Sequence, residues 1–482
     1  MPAKSIMFQG TGSDVGKSLL VAGLCRLLAR RGYKVVPFKA QNMSNNAAVA
    51  DDGGEIGRAQ WLQALAAGMS SSFHMNPVLL KPQSDKTSQL IVRGKLMATM
   101  GAKEYQGYRK SLLATVLESY HHLAKDADFV LVEGAGSPAE INLRENDIAN
   151  MGFARAANCP VVLVGDIERG GVIASLVGTY AVLENADLEM IRGFIVNKFR
   201  GDASLFASGA QEIVKRTGWE NLGLVPYFSS LAKLPKEDSV GLGSRHGTTG
   251  DKIIPTNITV LKTPHIANFD DIDPLMNDPN IKLSWCEAGD AISVDADIVI
   301  LAGSKSTISD LQFIKAQGWD VDMQAHLRRG RRIIGLCGGY QMLGRSLSDP
   351  HGVEGCPATV EGLGFLDVDT IFTSQKIVSK WQGKCGDFEV SGYEIHVGET
   401  KGGDCLRPVF HGIKPEGASS QDGLVWGSYI HGVFANDGFR SWLLGVNSSY
   451  NYRQDMAAIM DSWADMLEEN IIIDKLLQLA GQ

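Results

Sequence analysis

None of the seven cysteines belongs to a C-x-x-C pair, and their number is odd. That spacing argues against a zinc site and against a disulfide framework. The thiols are therefore expected to be reduced and the chain cytoplasmic. Basic residues are short as well: 46 Lys and Arg against 54 Asp and Glu give a net charge of −8, the wrong sign for a nucleic-acid surface. No apolar run approaches the roughly 20 residues of a membrane span. The N-terminus has one lysine and then runs straight into a strand-like segment, so it does not read as a secretory signal. Neither a nucleic-acid nor a membrane partner is expected, and nothing in the pattern specifies an oligomeric state.

What is present is ordinary for an enzyme: 44% hydrophobic and 21% charged residues. A length of 482 residues exceeds a single core and suggests about two to three domains. Residues 1–235 alternate apolar strand-like runs with helical stretches, the sign of a parallel sheet wrapped by helices. The expected strands are Ser5–Phe8, Lys34–Phe38, Phe129–Glu133, Val161–Val164 and Gly193–Asn197. Residues 236–255 are polar and glycine-rich and read as a linker. A second strand series opens at Ile258–Leu261 and Ile298–Leu301, giving a second α/β domain over 256–450. Residues 451–482 form a helical tail, with Met456–Leu477 at helical spacing. The fold class expected is α/β, with two doubly wound domains in series.

Gly10-Thr11-Gly12-Ser13-Asp14-Val15-Gly16-Lys17-Ser18 follows the apolar run Ile6–Phe8 and precedes the apolar segment Leu19–Leu28. Strand, glycine-rich turn and helix N-terminus together make a phosphate cradle. Lys17 suits the terminal phosphates of ATP, and the Ser18 hydroxyl suits Mg²⁺. Counting back from Gly16, the P-loop template places its first glycine at position 11. Thr11 stands there instead, between Gly10 and Gly12. Glu133 closes a buried strand where a P-loop protein carries a metal-binding or water-orienting acid. One of Asp51, Asp52 and Glu55 is expected to share the metal, with Asp51 taken forward. Asn197 and Lys198, at another strand end, suit a base-contacting edge. Lys39–Asn46 is a polar loop beside the cradle, where ligands gather in open α/β sheets.

In the second half, Arg332–Leu336 runs into Cys337-Gly338-Gly339 and then a helix. This is a nucleophile elbow with cysteine in place of serine, and the positive helix end favours a thiolate. His431, at a glycine-flanked strand end, is the expected base, with His396 as the rival. The backbone N–H groups of the Gly303-Ser304 segment and of Gly338 are placed as oxyanion donors, Gly303 and Gly338 being the residues assigned.

Eight blocks, four in each half, carry a family resemblance. Lys39–Asn46, Asp52–Gln60, Met75–Pro82 and Val132–Met151 resemble the cobyric acid synthase family, and the P-loop variant is similar to dethiobiotin synthetase. Leu301–Leu311, Gly335–Gly344, Gly392–Val397 and Gly427–Phe434 resemble the glutaminase domain of the same enzymes. The resemblance implies a class I-type glutamine amidotransferase fused to an ATP- and Mg²⁺-dependent synthetase. It implies glutamine as the nitrogen donor and adenosylcobyrinic acid a,c-diamide as the corrinoid substrate, amidated at its b, d, e and g carboxylates. Gln41, Asn42 and Asn45 are then the expected substrate contacts. Two departures stand out. Val433 occupies the position where triad glutaminases carry a glutamate, so the acid behind His431 is absent or comes from elsewhere, with Glu394 and Asp437 as candidates. Ala302 replaces a common proline. The alternatives are a cobyrinic acid a,c-diamide synthase, against which the 39–46 loop speaks, a cell-wall precursor amidase, and a regulatory P-loop ATPase.

Overall fold

The computed structural model describes residues 3–83, 87–235, 256–445 and 448–481. The expected linker, 236–255, lies outside the described residues.

The first sheet has six strands, in the order Glu220–Pro226, Ile191–Phe199, Val161–Asp166, Lys4–Gly10, Phe129–Glu133, Val35–Phe38. All its pairings are parallel. Strands such as Phe129–Glu133 and Val161–Asp166 are almost wholly buried, which is why they read as continuous apolar runs rather than alternating ones. The chain moves outward from Lys4–Gly10 to one side, returns, and then builds the other side. Strand order therefore reverses at Lys4–Gly10, the point where such sheets bind ligands. The register sets Phe8 beside Glu133 and Gly10 beside Val164. The cradle and the buried acid thus emerge from adjacent strand ends.

Between Phe38 and Phe129 the chain leaves this sheet. It forms a small sheet in the order Gln41–Met43, Val78–Pro82, Thr87–Val92, Lys95–Gly101, and a short hairpin of Ala47–Val49 with Glu55–Gly57. The start of the expected polar loop is therefore a strand, parallel to Val78–Pro82. The hairpin runs straight into the helix Arg58–Ala66.

The second large sheet runs Ile281–Cys286, Thr256–Leu261, Ile298–Leu301, Arg332–Leu336, Val425–Ser428, Ala418–Ser419, parallel except for the last edge strand. Beside it lies a long antiparallel hairpin, Val368–Cys385 with Phe388–Gly402. Its second arm pairs with Ile430–His431, setting Tyr393 opposite His431.

The C-terminal helices Tyr452–Asn470 and Ile473–Leu479 pack back on the first sheet's side of the molecule. The helix Lys17–Arg30 buries Leu20, Leu24, Leu27 and Leu28 on one face. Trp463 reaches it and donates its indole N–H to the Leu19 carbonyl at 2.7 Å. Arg26 pairs with Asp461 at 2.8 Å. A methyl group on Gly23 would meet the Trp463 ring at 2.4 Å, so only glycine lets the two helices approach this closely. No helix among the described residues is long and apolar enough to cross a membrane.

Candidate functional site

The cradle opens into a cavity of about 760 Å³. Gly16 has φ +92°, a left-handed backbone that turns the loop into the helix Lys17–Arg30. Asn197 donates its side-chain amide to the Val15 carbonyl at 2.9 Å, and Lys198 holds the Asp14 carbonyl at 2.5 Å. Asn197 thus braces the loop backbone from behind. The Lys17 ammonium rests on the carbonyls of Gly12 (3.2 Å) and Gly136 (3.1 Å).

Glu133 is buried at the floor of this cavity. Its carboxylate accepts from Ser18 (2.7 Å), Lys39 (2.9 Å), Gln63 (2.7 Å) and Gln60 (3.3 Å). Burial opposes its charge, but the Lys39 ammonium and these donors hold its pKa below the ordinary carboxylate value. Asp51 does not join this set. It accepts from Ser71 at 2.7 Å and pairs with Lys380 of the long hairpin. Asp52 accepts from the Phe73 N–H, and Glu55 is buried between Lys81 and Lys376, at 2.5 Å from each. All three acids that sequence spacing offered as metal partners are thus committed elsewhere, because the hairpin and the helix Arg58–Ala66 turn them away from the cradle. Lys39 and Gln60 stand inside the motif blocks without a role and Gln63 stands just past one, since a motif gives no side-chain direction.

Among the polar residues expected at the substrate, Gln41, Asn42 and Asn45 all line the cavity. Gln41 accepts from the Tyr105 hydroxyl at 2.6 Å, and Asn42 donates to Gln60 at 3.0 Å. Arg109 and Arg144 line the same wall, tied to Asp147 and Asp187. Among the described residues there is no cluster of three or more His, Cys, Asp or Glu suited to a metal ion.

The second centre is built on Cys337, which has φ 50° and ψ −109° at the start of the helix Gly338–Leu343. A non-glycine residue in that region is strained, a feature that clusters at functional sites. The strain is held from both sides. Cys337 donates its N–H to Ser428 at 2.8 Å, and a Cβ on Gly339 would lie 2.0 Å from the Leu301 carbonyl.

His431 is fully buried, its Nδ1 2.6 Å from Asp271 Oδ2, while Asp271 Oδ1 accepts the Gly432 N–H at 2.6 Å. Burial disfavours a charged ring. The adjacent Asp271 outweighs it, with a further contribution from Cys337, and the His431 pKa is pushed up to about 10. The balance favours the protonated ring, and Cys337 adds to it. His396, the rival, is pulled down to about 4 by burial and by the nearby His431 charge, and stacks on Tyr429 at 3.7 Å. Glu394 accepts from Ser379, and Asp437 accepts from the Tyr452 N–H and pairs with Arg440. Neither orients His431; Asp271 does, from a turn 160 residues earlier.

Of the two residues expected as oxyanion donors, Gly338 keeps its place and the free N–H of the other segment moves from Gly303 to Ser304. Lys305 N–H bonds the His265 carbonyl, and Ala267 stands opposite Gly303 in the same register. Antiparallel alternation then commits the Gly303 N–H to Ala267 and turns the Ser304 N–H outward. That nitrogen lies 2.8 Å from where a Cβ on Gly338 would sit. Gly338 itself opens a helix, so its N–H has no partner within that helix. Ser304, Lys305, Gln341, Glu354, Lys376 and His396 surround the thiol.

The two halves of this arrangement each match a family model. Residues 6–241 match the CobQ/CobB/MinD/ParA nucleotide binding domain, and residues 257–439 match the CobB/CobQ-like glutamine amidotransferase domain. The cobyric acid synthase of Methylorubrum populi is 55% identical, covering 99% of both chains. That of Paracoccus denitrificans is 53% identical over 99% of both, and that of Allorhizobium ampelinum 55% identical over 99% of this chain and 100% of its own.

The chain belongs to the cobyric acid synthase family.

As a member of the cobyric acid synthase family it is a ligase with a glutamine amidotransferase domain, and its nucleotide-binding half carries the cradle. The glutamate missing at Val433 is, in this cobyric acid synthase family chain, replaced geometrically by Asp271.

Proposed function

We propose that the chain amidates the b, d, e and g carboxylates of adenosylcobyrinic acid a,c-diamide, using ATP and ammonia released from glutamine. The observation that carries this reading is the pairing, in one chain, of a carboxylate-braced His431 beside a strained Cys337 with a cradle ending at a buried Glu133.

At the thiol centre, Cys337, its proton passed to His431 Nε2, attacks the glutamine amide carbon. The Ser304 and Gly338 N–H groups face the developing oxyanion. The His431 imidazolium gives its Nε2 proton to the departing ammonia, leaving a thioester on Cys337. Neutral His431 then takes a proton from water, which attacks the thioester and releases glutamate. Asp271 keeps the Nδ1 proton in place throughout.

At the cradle, a substrate carboxylate attacks the γ-phosphorus of ATP, giving an acyl phosphate and ADP. Lys17 offsets the charge on the transferring group. Ammonia then attacks the acyl carbon, and phosphate leaves. Hydroxide is too poor a leaving group at neutral pH, which is why the carboxylate is first phosphorylated. The Ser18 hydroxyl and the Glu133 carboxylate, two hard oxygens 2.7 Å apart, suit Mg²⁺, which neutralises phosphate charge when bound. Gln41, Asn42, Asn45, Arg109 and Arg144 offer donors and cations to a carboxylate-rich macrocycle. Seven free cysteines suit a cytoplasmic setting.

The test is mass spectrometry of the diamide incubated with protein, Mg-ATP and glutamine. Four stepwise conversions of carboxylate to amide, lost in Cys337→Ala and restored by ammonium, are the expected result. Turnover of cobyrinic acid instead would reassign the chain to the diamide synthase activity, and ATP hydrolysis without amidation of either would sink the proposal.

A further inference from the structure

The nucleotide-binding half reaches into the second centre. The Arg58 guanidinium, at the start of the helix Arg58–Ala66, lies 3.0 Å from Asp270, and both side chains are buried. Asp270 directly precedes Asp271 in the turn Phe269–Ile272. Just before that turn, Asn268 (φ 50°) donates to the Ala47 carbonyl at 3.0 Å. The same carbonyl accepts the Tyr393 hydroxyl at 3.2 Å, and the Tyr393 ring stacks on His431 at 5.3 Å. Ala47 and Arg58 belong to one hairpin-helix segment. That segment therefore grips both the turn carrying the triad acid and the ring covering the triad histidine.

Electrostatics shows why the grip matters. The groups facing Asp270 are Arg58, Asp271 and His431, with the Tyr393 and Tyr452 hydroxyls close by. Two adjacent buried carboxylates are balanced by one guanidinium and one imidazolium. Burial and the neighbouring Asp271 already push Asp270 up to about 6 with the guanidinium in place; without it Asp270 takes up a proton, and the turn loses the ion pair that ties it to the helix Arg58–Ala66.

We propose that Arg58 is a positioning residue for glutamine hydrolysis: supplied by the nucleotide-binding half, it pairs with Asp270 and so fixes the turn that presents Asp271 to His431. The proposal rests on the reading of Cys337 and His431 as a glutaminase. Arg58 does not line the cradle cavity, but Gln60 and Gln63 of its helix bond Glu133, so amidation driven by ammonium is the readout that separates its effect from the synthetase step.

The experiment uses the full chain as wild type, Arg58→Met, Arg58→Lys, Asp270→Asn and the Arg58→Met/Asp270→Asn double variant. Amidation is measured with glutamine and, separately, with ammonium as nitrogen source. Arg58→Met is expected to lower kcat for glutamine hydrolysis about tenfold or more, with KM for glutamine within about threefold and ammonium-driven amidation within about twofold. Arg58→Lys recovers part of the loss by restoring charge without the planar fork. The double variant is no worse than Arg58→Met, because the partners act as a unit. An unchanged glutamine rate in Arg58→Met overturns the proposal, as does an equal loss with both nitrogen sources. A wild type that hydrolyses no glutamine overturns the underlying reading instead.

Discussion

Asp271 holds the His431 Nδ1 at 2.6 Å with both partners fully buried. Removing the carboxylate's charge removes what keeps the ring protonated and aimed. Asp271→Asn is expected to lower glutamine hydrolysis by about 10²–10⁴-fold, the usual range for disabling a general acid–base group. Release of label from amide-labelled glutamine measures it, with ammonium-driven amidation as the control that stays within about twofold.

The same pair makes stability depend on pH. The folded-state pKa of His431 is raised, from 6.5 to about 10. Its contribution is therefore fully present below pH 6.5 and is lost as pH rises through about 10. Other groups titrate nearby: burial pushes Glu354 and Glu416 up to about 7 and Lys376 down to about 8. The informative quantity is consequently the difference between wild type and Asp271→Asn in urea unfolding. That difference should shrink steadily between pH 7 and 10, and a flat difference would remove the pair from the account.

At the cradle, Lys17 and Glu133 are expected to be needed for carboxylate activation itself. With hydroxylamine replacing ammonia, the wild type should convert the diamide and Mg-ATP into hydroxamates. Lys17→Ala and Glu133→Gln should lower that yield by about 10²-fold or more, since each removes a charge from the phosphoryl-transfer site. Hydroxamate at wild-type rates in either variant would move the acyl phosphate elsewhere.

Trp463 joins the last long helix to the P-loop helix. Trp463→Ala should cost about 3–5 kcal/mol as a buried aromatic lost from a packed core. Gly23→Ala should cost about 1–3 kcal/mol by the opposite route, overpacking against the same ring. Both are read from the midpoint of urea unfolding, with nucleotide absent so that ligand linkage does not mask the loss.

The parallel strands are legible in the sequence because strands buried on both faces are continuous apolar runs; Phe129–Glu133 and Ile298–Leu301 show no other pattern. Glycine-marked turns are legible for a similar reason, since Gly16 and Gly339 sit where a side chain is excluded. The long hairpin Val368–Cys385 with Phe388–Gly402 is not. It is half exposed along most of its length, so polar residues dilute its alternation. Asp271 carries no local signal either: it stands in an acidic stretch, Asp270-Asp271-Ile272-Asp273, remote in sequence from His431. Only the fold decides that Asp270 meets Arg58 and Asp271 meets the histidine. Asp51, Asp52 and Glu55 fail as metal partners for the same reason, as sequence proximity to the cradle does not fix which way a short hairpin turns.

The return of the C-terminal helices onto the first sheet has a consequence in time. The Ser5 N–H bonds the carbonyl of Ala480 at 3.2 Å, so the strand Lys4–Gly10 is completed by a residue made long after it. On a translating ribosome, where domains ordinarily mature in order from the N-terminus, the nucleotide-binding core stays open along the Trp463 groove until the helices Tyr452–Asn470 and Ile473–Leu479 emerge. The thiol domain, though encoded later, has its whole central sheet in hand before then. The half that binds nucleotide thus closes after the thiol half, and a chain without these helices has no completed synthetase core.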